Sequence, residues 1–262
     1  MAGSLVPGAL RSAIRNGLGA LGYQVVRAAA HAPGVPTDIA RDARFLALLE
    51  RCRPFTMTSV ERMYALYQAV GHVSRAGIAG AVVECGVWRG GSAMLCALAL
   101  LEGGDTERDL YLYDTFEGMA KPDERDVSHE GEVALETWSR SPAEDGGWCY
   151  SPIDEVRRNL LGTGYPEARL HFVKGKVEDT LPGTIPAGVA LLRLDTDWYA
   201  STRHELEHLY PRLAPGGVLI VDDYGFWEGA RQATDEFLDA LPSPLLLGRI
   251  DDTGRIAVKP GR

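Results

Sequence analysis

Residues 80–92 read Gly-Ala-Val-Val-Glu-Cys-Gly-Val-Trp-Arg-Gly-Gly-Ser. A short apolar run that ends on glycine and opens into a second apolar segment, 92–101, has the pattern of a buried strand followed by a buried helix. The same alternation continues downstream. Residues 109–114 and 169–173 read as strands with a helix at 153–161 before the second. A strand at 189–195 is followed by a helix at 203–213 that Pro215-Gly216-Gly217 should stop, and a strand at 218–222 is followed by a helix at 228–241. Segments 245–250 and 255–258 flank Asp251-Asp252-Thr253-Gly254, a turn suited to an antiparallel hairpin. Strands alternating with helices predict an α/β fold: a doubly wound sheet, mostly parallel, with an antiparallel last strand.

The residues on either side of this alternating region are organised differently. Residues 1–36 are rich in Gly, Pro and Ala and read as a loose arm. Residues 38–53 and 59–75 read as amphipathic helices, the second capped by Ser59. We therefore expect an N-terminal part, 1–75, and a core, 76–262, interrupted by an insertion at 118–150. An insertion of that length suits a lid or binding loop, and for its first half an unstructured surface loop is an equally open reading.

Composition narrows the function. The 262 residues carry 27 Lys+Arg and 36 Asp+Glu, a formal net charge of −9. That balance argues against nucleic acid or an anionic membrane as partner. No apolar run is long enough to span a bilayer, and no signal peptide is evident. Cys52, Cys85, Cys96 and Cys149 lack CxxC spacing and fit reduced, mostly buried thiols. These features together point to the cytoplasm.

In an open α/β sheet, ligands bind beyond the carboxyl ends of the strands, so the strand-end residues carry the function. The loop after the first strand holds Glu84, Gly86, Arg89, Gly90, Gly91 and Ser92. Glycine lets a ligand approach the backbone, and the helix start offers free N–H groups. Asp114 ends the second strand, placed to accept hydrogen bonds from two ribose hydroxyls, with a turn cap as the alternative. Glu84 suits a cofactor with an amino group and no phosphate, which favours S-adenosylmethionine (SAM) over NAD. Asp195 and Asp197 end the fourth strand and, if extended, project the same way; Asp222-Asp223 end the fifth. Carboxylates converging at one rim need a positive group among them, and hard oxygen ligands suit Mg²⁺, Ca²⁺ or Mn²⁺.

His204-Glu205-Leu206-Glu207-His208 matches HExxH, the zinc-protease pattern. Leu206, Leu209, Tyr210 and Leu213 form the apolar stripe of that helix, which should leave both histidines facing solvent without a third ligand. We therefore do not expect a metalloprotease.

Taken together, ECGVWRGGS (84–92), YDTFEGM (113–119), FVKGKVEDTLP (172–182), LDTDWYAST (194–202) and PGGVLIVDDYG (215–225) resemble the macrocin O-methyltransferase family, and PFTMTSVERMYALYQAV (54–70) resembles its lead-in. The resemblance covers roughly residues 38–250. It implies a class I SAM-methyltransferase fold and a SAM- and Mg²⁺-dependent O-methyltransferase acting on a deoxysugar hydroxyl in antibiotic biosynthesis. It implies Asp195, Asp222 and Asp223 as Mg²⁺ ligands and Asp197 as general base. It puts Glu84, Gly86, Asp114 and the stretch Thr115, Phe116 and Gly118 in the SAM pocket, with Thr58 and Val177 as its neighbours. The acceptor would be a small sugar or a glycosylated natural product, and the enzyme a homo-oligomer. A catechol-type methyltransferase would use the same metal logic, and a nucleotide-binding oxidoreductase is a remoter alternative.

Overall fold

The computed structural model describes residues 35–141 and 147–261. The arm expected at 1–36 lies almost wholly outside them. The chain divides into two units, Met1–Arg41 and Asp42–Arg262, so the division falls well before residue 75. The described part of the first unit ends in a 3-10 turn, Ile39–Arg41. Helices α1 (Ala43–Cys52) and α2 (Val60–Arg75) belong to the second unit. Helix α2 is capped by Ser59 as expected, while α1 starts at Ala43 rather than at 38 and is capped by Asp42: the Phe45 amide donates to Asp42 Oδ1 at 3.0 Å, and the Arg62 amide to Ser59 Oγ at 3.1 Å.

In the second unit the described residues form a seven-stranded sheet. Its strands are β1 (Ala81–Cys85), β2 (Leu110–Asp114), β3 (Leu170–Lys174), β4 (Val189–Leu194), β5 (Leu213–Val221), β6 (Gly248–Arg249) and β7 (Arg255–Val258). Their order is β3-β2-β1-β4-β5-β7-β6. The first five are parallel, and β7 runs antiparallel to both β5 and β6. Between β1 and β4 the winding reverses direction. The crevice beyond their ends is where a sheet of this topology binds ligands.

Helix α3 (Gly91–Gly103) follows β1 and is buried along most of its length, as expected for an apolar helix covered on both sides. The later helices are α4 (Ala134–Arg140), α5 (Ile153–Leu161), α6 (Val177–Thr180), α7 (Tyr199–Leu209) and α8 (Glu228–Asp239). Several boundaries differ from the sequence reading, two of them for a clear local reason. Helix α7 starts four residues earlier than expected, because the polar residues Ser201, Thr202 and Glu205 belong to its buried face. Pro215-Gly216-Gly217 does not end a helix but forms a bulge inside β5, where the register jumps from Leu213 to Val218 opposite Val189 and Leu191. The bulge keeps its backbone paired: the Gly216 amide donates to Lys259 O and the Lys259 amide to Gly217 O, both at 2.8 Å.

The first half of the insertion is an ordered strap. Asp126, 1% exposed, accepts from the Asp123 amide at 2.7 Å and the Tyr199 amide at 2.8 Å, tying the insertion to the start of α7. Bridges join Val127 to Val133 and Ser128 to Trp227. The Trp138 and Trp198 indoles donate to Met119 O and Ala120 O, each at 2.9 Å. Trp148, Trp198 and Trp227 then pack edge to face or tilted, with centroids 5.1–6.0 Å apart. This places an aromatic wall over the ends of β4 and β5.

Candidate active site

Beyond the ends of β1 and β4 lies a cavity of about 390 Å³, within the range of small-molecule sites. A smaller one of about 60 Å³ shares Gly86, Asp114, Gly118 and Asp195 with it. Gly86 is the hinge between the two strands. Its φ is +84°, and a Cβ there would sit 2.0 Å from the Asp195 carbonyl oxygen. Only glycine permits both this conformation and this approach. Gly86→Ala should cost about 1–2 kcal/mol for the left-handed conformation alone. It should further displace Asp195, so a thermal melt and S-adenosylhomocysteine calorimetry are both expected to report a loss. A variant matching the parent in both would contradict this assignment.

The loop after Gly86 folds around Asp114. One oxygen of Asp114 accepts from the Val87 and Trp88 amides at 2.7 and 3.0 Å, and the other from the Phe116 amide at 2.7 Å. The turn-cap duty of Asp114 is thus realised. The carboxylate also faces the cavity and keeps lone pairs for a ligand. Thr58, Glu84, Gly91, Ser92 and Gly118 line the larger cavity, and Thr115 and Val177 the smaller. Three expected cofactor residues lie elsewhere. Arg89 is tied to Glu155 at 2.7 Å and to Pro54 O at 2.9 Å. Gly90 packs under Leu160 and Val156. Phe116 is buried beside Phe172.

The acidic rim is more crowded than the sequence suggested, and it contains two arginines that the reading missed. Arg193 points from near the end of β4 and is 2% exposed. Its guanidinium lies 2.6 Å from Glu84 Oε1, 2.9 Å from Asp195 Oδ2 and 2.8 Å from Asp222 Oδ1, and it donates to Thr58 Oγ1 at 3.1 Å. Arg62 on α2 ion-pairs with the other oxygen of Asp222, with Asp223 at 3.8 Å and with Asp251 at 3.1 Å. Burial opposes charge on both arginines. Asp195, Asp222 and Glu84 outweigh it for Arg193, and Asp222, Asp223 and Asp251 for Arg62, so both stay above the ordinary arginine range. Asp251 therefore does more than shape its turn: it accepts from the Thr253 and Gly254 amides and also from Ser59 Oγ at 2.6 Å. The signal for Arg193 was a lone cation inside an apolar strand, which requires buried acids around it. The signal for Arg62 was a cation in the first turn of a helix, where the dipole disfavours it.

With Asp222 turned to the two guanidiniums, the carboxylates that converge are those of Asp195, Asp197 and Asp223. One oxygen from each lies within 4.8 Å of the others. Asp197 does not get there by strand alternation. β4 ends at Leu194, and Asp197 takes φ +70° at the centre of a tight turn closed by the Trp198 amide on Thr196 O at 2.8 Å. Burial, and then Asp195, push Asp197 up to about 8. Burial also raises Asp195 and Asp223 well above the carboxylate range. Three hard oxygen donors disfavoured as anions fit a divalent cation such as Mg²⁺. At the cofactor end, burial pushes Glu84 up to about 7, and its Oε2 has no hydrogen-bond partner among the described residues. A buried orphan acceptor lining the cavity fits an ammonium group.

The HExxH match has no metal-site geometry. His204 and His208 are half-buried rather than solvent-facing. Their rings lie tilted at 31° with centroids 4.1 Å apart, and His204 Nε2 is 3.1 Å from Leu181 O. Glu205 points the other way, into the core. Among the described residues, the carboxylate trio is the group that could hold a metal ion.

Residues 24–257 match the family described as macrocin-O-methyltransferase (TylF), starting earlier than the resemblance read from motifs. The chain is 35% identical over 199 residues, covering 76% of it and 73% of the relative, to 8-demethyl-8-(2,3-dimethoxy-alpha-L-rhamnosyl)-tetracenomycin-C 4'-O-methyltransferase of Streptomyces olivaceus. It is 34% identical over 185 residues, 70% of each protein, to mycinamicin III 3''-O-methyltransferase of Micromonospora griseorubida. Among solved structures, the O-methyltransferase NovP superposes with a TM-score of 0.68 at 29% identity, over 79% of this chain and 83% of that one.

Proposed function

The chain belongs to the macrocin O-methyltransferase family and is a SAM-dependent O-methyltransferase, and from that premise we propose that it methylates a deoxysugar hydroxyl on a small sugar or glycosylated natural product with the help of Mg²⁺. The observation that carries the metal assignment is the convergence of Asp195, Asp197 and Asp223 in the cavity that Glu84, with its orphan oxygen, also lines. One relative is named for a rhamnosyl-tetracenomycin and the other for mycinamicin III, which supports the acceptor class.

SAM would supply a sulfonium methyl, and a divalent cation would supply Lewis acidity that makes a hydroxyl easier to ionise. The chain's own residues do the rest. Glu84 offers its free oxygen to the amino-acid end of SAM, and Asp114 offers its remaining lone pairs to the ribose. Asp195 and Asp223 would hold the ion. The family resemblance adds Asp222 to that set, although its oxygens face Arg193 and Arg62 here and the converging trio holds Asp197 instead. Asp197 takes the hydroxyl proton as general base. Trp148, Phe226 and Trp227 line the cavity as an apolar wall against which a deoxysugar face can rest and from which water is excluded. Much of the rate would come from holding oxygen, methyl and sulfur in line.

The test is methyl transfer from labelled SAM to a panel of neutral glycosides, run with and without EDTA. Turnover should vanish in EDTA and return with Mg²⁺, while full activity in EDTA would remove the metal assignment. The same reading places the enzyme in the cytoplasm as a homo-oligomer. Among the described residues, no helix is long and apolar enough to cross a membrane.

A further inference from the structure

We propose that Glu205, the glutamate of the HExxH match, is a positioning residue that holds the Thr196-Asp197-Trp198 turn in its working conformation. The inference rests on the reading of Asp197 as the general base and adds a residue that the reading does not use.

Glu205 sits on the buried stripe of α7 with Ser201, Thr202, Leu206 and Leu209. It is 0% exposed. Its Oε1 accepts from Thr196 Oγ1 at 2.9 Å, and the Cys85 thiol lies beside the same carboxyl. Its Oε2 has no N–H or O–H donor among the described residues. A carboxyl buried this way is costly and is held only where something needs it.

Thr196 is what needs it. Its carbonyl closes the three-residue turn on the Trp198 amide at 2.8 Å and also receives the Ser201 hydroxyl at 3.4 Å. At the centre of that turn Asp197 has φ +70°. This is the rare, strained form of the γ-turn, which persists only when its surroundings over-determine it. The Thr196 side chain is the handle by which α7 grips the turn. The Cys85 carbonyl at the end of β1 accepts the Asp195 amide at 2.8 Å, joining the turn to the other side of the crevice. Glu205 grips the turn through Thr196 and lines neither cavity. If it is removed, the turn can relax to an ordinary φ and carry the Asp197 carboxylate off the point it shares with Asp195 and Asp223.

The experiment compares Glu205→Gln, Glu205→Leu, Thr196→Val and the Leu/Val double variant in the full chain. Glu205→Gln keeps the acceptor and should stay within about threefold of the parent in kcat. Glu205→Leu and Thr196→Val should each lose about 10²-fold in kcat, the scale of a small misplacement, with S-adenosylhomocysteine affinity by calorimetry unchanged. The double variant should be no worse than either single, because both break one contact. Hydrogen exchange at the Trp198 amide gives a readout free of turnover. It should accelerate in Glu205→Leu and Thr196→Val while the β4 amides stay protected. The inference is overturned by parental kcat in Glu205→Leu, by effects that multiply in the double variant, by kcat and cofactor affinity falling together, or by unchanged exchange at Trp198. If neither parent nor variant methylates any glycoside, the proposed function fails, and the exchange result still decides the role of Glu205.

Discussion

Asp197→Asn is expected to lower kcat by about 10²–10⁴-fold, the usual contribution of a positioned base, without weakening S-adenosylhomocysteine binding. Asparagine keeps the shape and the left-handed backbone that Asp197 adopts at φ +70°. Only the capacity to take a proton is removed. Two controls separate base from ligand. Raising Mg²⁺ tenfold should not restore turnover, because the ion would be held by the neighbouring acids; restoration would make Asp197 a ligand. Asp222→Asn should do the reverse and raise the Mg²⁺ concentration needed for activity. The same substitution should change stability in a direction set by linkage. Asp197 is raised in the folded chain from its ordinary value to about 8. Between those two values the folded state binds more protons than the unfolded state, so stability falls as pH rises. Asparagine escapes this penalty. In EDTA at pH 8 the variant should melt above the parent, by about 2–4 °C for each kcal/mol relieved, and the gap should close towards pH 4. Equal melting at pH 8 would mean that the burial of Asp197 carries no such cost.

How much of this was readable beforehand follows a physical line. The sheet was legible because its strands announce themselves as apolar runs ended by Gly or Asp, and Gly86, Asp114, Asp195 and Asp222-Asp223 all fall at strand ends. The insertion was not legible as ordered. What pins it are single hydrogen bonds to Asp126 and to Met119 and Ala120 carbonyls, which have no periodicity. Helix α7 showed the opposite problem. Its polar buried residues made its first turn look like loop, and the local match His204-x-x-x-His208 drew attention to the wrong face of it. The acids at the rim were found from their chain positions, but their division was not. Whether Asp222 or Asp197 joins Asp195 and Asp223 depends on where two guanidiniums from β4 and α2 reach, which is a property of the packed molecule. The need for positive charge among converging carboxylates was anticipated from Coulomb repulsion. That the chain supplies part of it itself, through Arg193 and Arg62, required the register that places Arg193 opposite both Glu84 and Ile220.

Arg193→Met is expected to have the largest effect on stability of any single change at the site. The guanidinium is 2% exposed and faces Glu84, Asp195 and Asp222. Breaking a buried charge cluster by removing one partner costs about 3–5 kcal/mol, because the remaining charges stay buried without compensation. For a domain this size that is a fall in melting temperature on the order of 10 °C. The loss should depend on pH in a defined sense. Burial already raises Glu84 from its ordinary value to about 7, with Arg193 holding it down. Without Arg193 it rises further, so the variant's folded state takes up protons across a wider range than the unfolded state. Its stability is then lost as pH climbs. The deficit against the parent should be largest near pH 8 and should shrink towards pH 5, where the orphaned carboxyls become neutral. Arg193→Lys should fall between the two. It keeps the charge, but a single ammonium cannot span Glu84, Asp195, Asp222 and Thr58 as a planar fork does. Thermal melts of the three proteins at pH 5 and pH 8 decide the matter. A deficit that stays constant with pH would show that Arg193 matters for packing alone. A deficit that follows the carboxyls would show that one buried cation offsets the burial of the cofactor acid and the rim acids together.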